Sequence, residues 1–326
     1  MKVIIPAAGI GTRLRPHTHS APKALLYVAG KPILGHILDQ ITTLNPSEVR
    51  IIVGFLGSKI VEYVNHNYDL NVKFVNQNEL LGLGYAVYLG IDAGDTEDLL
   101  IVLGDTILET NWTCLLQSDK NVIAVKEVDN PRRFGVVETN GTRITGIVEK
   151  PEVPPTNLAV VGAYYIKDTA IFRDALREIH DRDVRTKGEI QVTDAFALMI
   201  RNGVEMHVCP VEGWFDCGKR ETLLETNRHL LKTLPDKSRR THIEGCVILP
   251  PVYIADDATV EKSVLGPNTS VASGTIIKNS IISDSIISAG ARVENARLTA
   301  SLVGNNAYVR GSFKVLNVGD SSEICY

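Results

Sequence analysis

Between Pro6 and Lys23 the chain concentrates small residues, a hydroxyl and cations: Pro6-Ala7-Ala8-Gly9-Ile10-Gly11-Thr12-Arg13, then Pro22-Lys23. Gly9 and Gly11 let the backbone take positive φ and let a ligand approach amide N–H groups, which is how a loop cradles phosphate oxygens. Thr12 adds a hydroxyl donor, and Arg13 and Lys23 bring full positive charge. Lys2, Arg13, Arg15, Lys23 and Lys31 all precede the first carboxylate, Asp39. Such a segment is suited to an anion, above all a polyphosphate. Its spacing fits neither common phosphate loop: a dinucleotide fingerprint needs glycine where Leu14 stands, and the Gly-Lys-Ser/Thr of a Walker A loop is absent. An ordinary glycine-rich turn accounts for Gly9 and Gly11 taken alone; the cations that follow weigh against it.

The surrounding elements must position these groups. Val3-Ile4-Ile5 is a β-branched run that reads as a short buried strand, so the small residues fall at its end, where open α/β sheets bind ligands. Lys31-Pro32 reads as the opening of a helix that buries Ile33, Ile37 and Ile41. Residues 49–53 then read as a strand and 58–66 as a helix capped by Ser58. Residues 72–75 form another strand, running toward Gln77, and a helix starts near Tyr85. Residues 99–103 are an apolar strand closed by Gly104-Asp105. This alternation is that of a doubly wound parallel sheet. Asp105 stands where such sheets place their chemistry; a plain turn aspartate is the alternative. Beyond Asn111 strands dominate, with Asn140-Gly141 as a hairpin tip. Pro151 pushes Lys150 toward extended geometry, and Glu189 reads as an acidic residue in the first turn of a helix.

Residues 234–245 are polar and mark a domain boundary. After them apolar residues recur every five or six positions, from Ile254 through Val260, Leu265, Val271 and Ile277 to Val309, with Gly, Asn, Ser and Asp between. That is the mark of a β-solenoid of about four coils. No histidine follows His242, so the histidine-based acyl transfer often found in such repeats is not expected, and assembly or regulation is. The 326 residues allow two domains. A formal charge of −4 argues against nucleic acid or an anionic membrane as the main partner. The five cysteines are odd in number and scattered, so reduced thiols are expected rather than a disulfide framework or a zinc site. With no signal-peptide pattern and no apolar run of the ~18 residues a membrane span needs, a cytoplasmic protein is expected.

Gly9-x-Gly11-Thr12-Arg13 with Pro22-Lys23 resembles the signature of the sugar-phosphate nucleotidylyltransferases, which make NDP-sugars from an NTP and a sugar 1-phosphate. Further motifs follow in that family's order: Phe134-Gly135, Glu149-Lys150-Pro151, Gly188-Glu189-Ile190 with Thr193-Asp194, and Trp214-Phe215-Asp216-Cys217-Gly218. The resemblance, strongest to the glucose-1-phosphate thymidylyl/uridylyltransferase type, implies a Rossmann-like, mostly parallel sheet in a nucleotidyltransferase domain over 1–233. It also implies a linker at 234–245 and a left-handed parallel β-helix of hexapeptide repeats over 246–326. It assigns Ala8, Gly9, Gly11, Thr12, Arg13, Gln77 and Gly82 to the nucleotide, and Gly135, Glu149, Lys150, Val160 and Glu189 to the sugar phosphate. Asp105 and Asp216 become Mg²⁺ ligands.

The implied reaction is in-line attack by a phosphate oxygen of the sugar 1-phosphate on the α-phosphorus, expelling pyrophosphate. The attacking oxygen is already ionised, so catalysis is positioning plus charge stabilisation. Arg13 neutralises the β- and γ-phosphates, Lys23 serves the α-phosphate, and Lys150 holds the sugar phosphate. UTP and dTTP differ by one methyl, worth only ~1 kcal/mol in a pocket, so both stay open. Two features depart from many thymidylyl members: Thr106 where they carry asparagine and Ala24 where they carry glutamine. A GTP/mannose-1-phosphate enzyme and a non-catalytic regulatory subunit on the same fold are the alternatives. The solenoid's faces and edges lead us to expect a homo-oligomer.

Overall fold

The computed structural model describes residues 1–233, 243–311 and 316–325, so most of the linker expected at 234–245 lies outside the described residues. In chain order the elements are β1 (Lys2–Pro6), β2 (Tyr27–Val28), β3 (Lys31–Pro32), α1 (Ile33–Thr43), β4 (Glu48–Val53), α2 (Gly57–Asn67), β5 (Val72–Asn76), α3 (Leu83–Leu89), β6 (Leu99–Val102), β7 (Thr106–Glu109), α4 (Trp112–Leu116), β8 (Asn121–Glu127), β9 (Gly135–Asn140), β10 (Arg143–Glu149), β11 (Leu158–Ile166), α5 (Thr169–Asp181), α6 (Val192–Arg201), β12 (Met206–Pro210), β13 (Gly213–Asp216) and α7 (Arg220–Thr233), followed by short solenoid strands. They fall into two compact units, Met1–Gly9 with Ile37–Trp214, and Ile10–His36 with Phe215–Tyr326. No helix among the described residues is long and apolar enough to cross a membrane.

The first unit is built on a nine-stranded sheet in the order β5-β4-β1-β6-β11-β8-β12-β10-β9. Strands β5, β4, β1 and β6 run parallel. Val3, Ile4 and Ile5 are wholly buried, as are all four residues of β6, because a parallel sheet is covered on both faces and tolerates continuous apolar runs. From β11 onward the sheet is mixed: β11 is antiparallel to β6 and β8, and β9 and β10 form the hairpin expected around Gly141. The register of β11 shifts between Val160 and Tyr164, at Gly162. There φ is +86°, and a Cβ would stand 2.6 Å from Leu103 Cδ1. This bulge seats Leu103, whose N–H donates to the Gly162 carbonyl at 3.0 Å, and so sets where the chain leaves β6 toward Asp105.

Three local expectations are corrected. Lys31-Pro32 does not open the helix. It pairs with Tyr27–Val28 across Ala29 and Gly30, both at positive φ, a turn whose twist suits a tight hairpin. Ser58 does not cap α2. Leu56 takes a left-handed conformation, and Gly57 starts the helix because a Cβ there would stand 2.9 Å from Val53 Cβ. Cys114 and Cys209 are not free thiols: they are joined as a disulfide across 95 residues, a pairing created by bringing α4 beside β12. Among the described residues Cys217 and Cys246 are not in a disulfide.

The second unit carries the solenoid. Val260, Ile277, Val293 and Val309 stack in parallel register, and the last three are wholly buried. Together with two further parallel sheets they form stacked coils consistent with a left-handed β-helix. Within this unit Asn227 of α7 accepts from the Ala29 N–H at 3.0 Å and from Ser270 Oγ at 2.6 Å, and donates to the Asn268 carbonyl at 3.1 Å. One buried amide thereby satisfies three segments at once.

In the first unit Arg50, midway along β4 and 2% exposed, donates to the Gly90 carbonyl at 2.7 Å and to Asp95 at 3.1 Å. Burial opposes ionisation of Asp95, but hydrogen bonds from Arg50 and Lys2 outweigh it and hold the carboxyl at about 2. A carboxylate depressed in the folded state contributes stability above its unfolded pKa of ~3.9, and that contribution is lost as pH falls toward the folded value. The urea midpoint should therefore drop between about pH 4 and about pH 2. Asp95→Asn should flatten that drop and cost roughly 3 kcal/mol at neutral pH, because the buried Arg50 loses its most enclosed counter-ion and keeps only the more exposed Glu48 and Asp92. Equal midpoints for wild type and variant at pH 7 would refute this account.

Candidate active site

In the first unit the end of β1 is held on two sides. The Ala7 N–H donates to the Ile52 carbonyl at 2.8 Å, and the Gly104 N–H donates to the Pro6 carbonyl at 3.1 Å. A Cβ on Gly54 would stand 2.9 Å from the Ala8 oxygen, and one on Gly104 would stand 2.9 Å from the Pro6 oxygen. Both positions are glycine because backbone meets backbone there. A Cβ on Gly9, by contrast, would meet nothing within 4 Å, so the loop opens at that point. Asp105 follows Gly104 and is half-buried; the Thr106 hydroxyl donates to its Oδ1 at 3.2 Å. The threonine that departs from the family pattern therefore braces the carboxylate.

Gln77 lies just past β5, is 7% exposed, and directs its side-chain amide at the Gly82 carbonyl, 3.5 Å away. Gly82 has φ +118°, and a Cβ there would stand 2.6 Å from the Ile190 oxygen and 2.8 Å from Glu189 Cβ. The Gly84 N–H donates to the Ile190 carbonyl at 2.8 Å, and the Ile190 N–H donates to the Leu81 carbonyl at 2.7 Å. The segment carrying Gln77 and Gly82 is thus laced to the segment carrying Glu189. Glu189 itself does not lie in a helix's first turn. It precedes α6, in a tight turn where the Thr186 N–H donates to the Glu189 carbonyl at 2.9 Å and Lys187 and Gly188 take positive φ.

Four of the residues expected to hold the sugar phosphate, Gly135, Glu149, Lys150 and Val160, lie together, while Glu189 lies against Gly82. Gly135 faces Glu149 across the β9–β10 ladder. A Cβ on Gly135 would stand 2.9 Å from Thr193 Cγ2, 3.0 Å from Glu149 Oε2 and 3.6 Å from Val160 Cγ2. Glu149 Oε2 accepts from the Thr193 hydroxyl at 3.0 Å, and its Oε1 pairs with Lys150 Nζ at 3.0 Å. Glu149 is 9% exposed and Lys150 40%, so the carboxylate is a buried brace and the ammonium an accessible head. Lys150 is not extended. Its φ is +42°, because its N–H closes the ladder on the Phe134 carbonyl at 3.0 Å and the chain must turn away immediately into Pro151.

Burial first, then the charges of Glu149 and Asp105, push the Tyr164 phenol far above its usual value. Both carboxylates therefore act on the same buried ring. Burial also raises the Asp194 carboxyl against a hydrogen bond from Thr186, with Glu149 adding to the rise. Sequence reasoning assigned no role to Thr193 or Trp214. Thr193 supplies the donor to Glu149, and its place inside the Glu189–Asp194 motif was the available signal. Trp214 packs edge-on against Phe134, with ring centroids 4.6 Å apart, next to Gly135.

The second unit holds the remaining expected residues: Gly11, Thr12, Arg13, Lys23 and Asp216. Gly11 has φ +70° and starts a 3₁₀ turn over Thr12–Leu14. Its carbonyl accepts from the Thr18 hydroxyl at 2.9 Å, and a Cβ there would stand 3.0 Å from Lys23 Cβ. The two halves of the N-terminal motif, Gly11-Thr12-Arg13 and Pro22-Lys23, are therefore in contact. Asp216 ends β13, and a Cβ on Gly218 would stand 2.7 Å from its Oδ1, so only glycine leaves that carboxylate its room.

Among the described residues no group of three or more His, Cys, Asp or Glu side chains is placed to hold a metal ion. Asp105, half-buried and braced by a hydroxyl, has the chemistry that suits a hard ion, which takes few protein ligands and fills its shell with water and phosphate.

Residues 2–233 match the family described as nucleotidyl transferase. The chain is 31% identical over 339 residues to the low-salt glycan biosynthesis nucleotidyltransferase Agl11 of Haloferax volcanii, covering 95% of this chain and 94% of that protein. It is 30% identical over 357 residues to a glucose-1-phosphate thymidylyltransferase of Streptomyces antibioticus, covering 99% of each. It is 33% identical over 240 residues to the UTP–glucose-1-phosphate uridylyltransferase AglF of Haloferax volcanii, covering 71% and 96%. Among solved structures, a UDP-glucose pyrophosphorylase complexed with UDP-glucose matches with a TM-score of 0.62 and 24% identity, covering 72% of this chain and 99% of that one; this likeness is one of fold. With the profile spanning the whole α/β region and relatives aligned nearly end to end, the chain belongs to the nucleotidyl transferase family.

Proposed function

We propose that the protein is a sugar-1-phosphate nucleotidylyltransferase that joins dTTP or UTP to glucose 1-phosphate, releasing an NDP-sugar and pyrophosphate. The observation that carries this reading is the lacing of Leu81–Gly84 to Ile190. It sets the segment suited to a nucleotide base against the segment that carries Glu189, beside the Gly135–Glu149–Thr193 cluster. The names of the Streptomyces and Haloferax relatives support the same substrates. The catalytic domain would be 1–233 and the β-helix 246–326. We place the reaction in the cytoplasm, where charge retains both substrates.

Two polyanions must meet, and two unit charges 4 Å apart repel by ~4 kcal/mol at an effective dielectric of 20. The amides of Ala8, Gly9, Gly11 and Thr12, with Arg13, would take the β- and γ-phosphates, and Lys23 would meet charge at the α-phosphate. Lys150, held by Glu149, would orient the sugar phosphate, and Val160 would floor its pocket. An ionised phosphate oxygen then bonds to the α-phosphorus while the bond to the bridging oxygen breaks and its electron pair leaves with pyrophosphate; no proton moves. Asp105 and Asp216 would hold Mg²⁺, which when bound supplies further neutralisation of phosphate charge.

Pyrophosphate release, assayed across four NTPs and several sugar 1-phosphates, should be fastest with a pyrimidine nucleotide and glucose 1-phosphate. GTP with mannose 1-phosphate as the best pair would replace this assignment, and silence in every pairing would favour a regulatory subunit. Asp105→Ala and Asp216→Ala should each lose about two powers of ten in turnover or more, with melting temperature retained; near-normal turnover would remove the metal assignment. Gly82→Ala should raise KM for the nucleotide about tenfold, and Gly135→Ala should do so for the sugar 1-phosphate, because each added methyl displaces a different loop. The reverse pattern would exchange the two half-sites. A monomeric mass by light scattering would overturn the homo-oligomer we propose for the β-helix.

A further inference from the structure

Within the second unit a cavity of about 390 Å³ is lined by Arg13, Lys219, Arg220, Glu221 and Asn317. Three cations share it with one carboxylate, and that carboxylate is already engaged: Glu221 pairs with Arg220 at 3.0 Å. Among the described residues Arg13 is in no ion pair, and the one acid that Lys219 acts on is the same Glu221 already paired with Arg220. The cavity also receives the start of α7, where the Lys219 carbonyl accepts from the Leu223 N–H at 2.9 Å and the Thr222 hydroxyl accepts from the Lys219 N–H at 3.3 Å. A fourteen-residue helix beginning there adds the positive end of its dipole. Cations gathered this way repel one another unless an anion joins them, and the volume lies in the range of small-ligand pockets.

The far wall is the β-helix. Asn317 hydrogen-bonds His17 and donates to the Arg15 carbonyl at 3.4 Å, and Asp320 hydrogen-bonds Ser20. A Cβ on Gly319 would stand 3.0 Å from Pro16 Cβ. The loop that follows Arg13 is thus seated on a late coil of the solenoid, and the cavity forms where loop, helix and coil meet.

We propose that this cavity is a pyrophosphate subsite, in which Lys219 and Arg220 join Arg13 in holding the terminal phosphates of the nucleotide and then the departing pyrophosphate. The proposal rests on the reading of Arg13 given above and extends it to two residues to which no role was assigned. Lys219 and Arg220 directly follow Asp216-Cys217-Gly218, so the chain that offers a carboxylate for a metal offers cations to the leaving group three and four residues later. The β-helix is then part of the catalytic wall and not solely a means of assembly.

The test uses the full chain in the reverse direction, with an NDP-sugar fixed and pyrophosphate varied. Lys219→Gln/Arg220→Gln should raise KM for pyrophosphate at least tenfold, while KM for the NDP-sugar moves less than twofold. An unchanged pyrophosphate KM in a variant that melts like wild type overturns the proposal. Calorimetry with inorganic pyrophosphate alone separates this proposal from the enzyme assignment. If wild type turns over no NDP-sugar yet binds pyrophosphate, and the double variant loses that binding tenfold or more, the subsite stands and the assigned reaction does not. Equal pyrophosphate affinity in wild type and variant, or inorganic phosphate binding wild type as tightly as pyrophosphate, overturns the subsite.

Discussion

Backbone segments in this protein approach more closely than any side chain would permit, and the site depends on that. At Gly54, Gly82, Gly104, Gly135 and Gly218 an added Cβ would fall within 3.0 Å of a heavy atom on a neighbouring segment or on Asp216. Four of these positions lie at or near a strand end and Gly82 directly precedes α3, where the sheet does not supply hydrogen-bond partners and loops must supply them to one another. The Pro6 carbonyl is met by Gly104, the Leu81 carbonyl by Ile190, and the Phe134 carbonyl by Lys150. Once these bonds are made the loops have little freedom left, and the polar groups they carry are fixed in place.

Charge is arranged on that frame with a division of labour. Glu149 has a side chain only 9% exposed and spends both oxygens on neighbours, one on Thr193 and one on Lys150, so its work is orientation. Asp105 is half-buried and accepts from the Thr106 hydroxyl, which fixes the direction of its carboxylate. Burial first, and the nearby acids after it, act on the groups around the sheet end: Tyr164 is pushed up and held neutral, and Asp194 is raised. These are shifts of the kind that mark functional clefts, although structural networks such as Arg50–Asp95 produce them too.

The second unit shows the same economy. Asn227 and the contacts of Asn317 and Asp320 are single side chains that tie helix, N-terminal loop and β-helix together. A solenoid offers rows of outward polar groups at fixed spacing, and here that regularity supports the loop bearing Gly11, Arg13 and Lys23. The likeness to the thymidylyltransferase of Streptomyces antibioticus extends over this region as well.

Much of this was legible in residue order alone. Apolar runs of the right length located β1, β4 and β6, Asn140-Gly141 located a hairpin, and a period of five or six residues located the solenoid, because each signal depends only on neighbours along the chain. The motif segments were legible too, since each combines glycine with a charged or polar residue in a short window. Tertiary structure decided what depends on distant partners. It gave Lys150 a positive φ because Phe134 holds its amide. It put Glu189 in a turn because Leu81 and Gly84 bind Ile190, and it joined Cys114 to Cys209 by bringing α4 beside β12. Backbone conformation at such points is set by whichever long-range hydrogen bond must be satisfied, and no local pattern of residues records where that partner is.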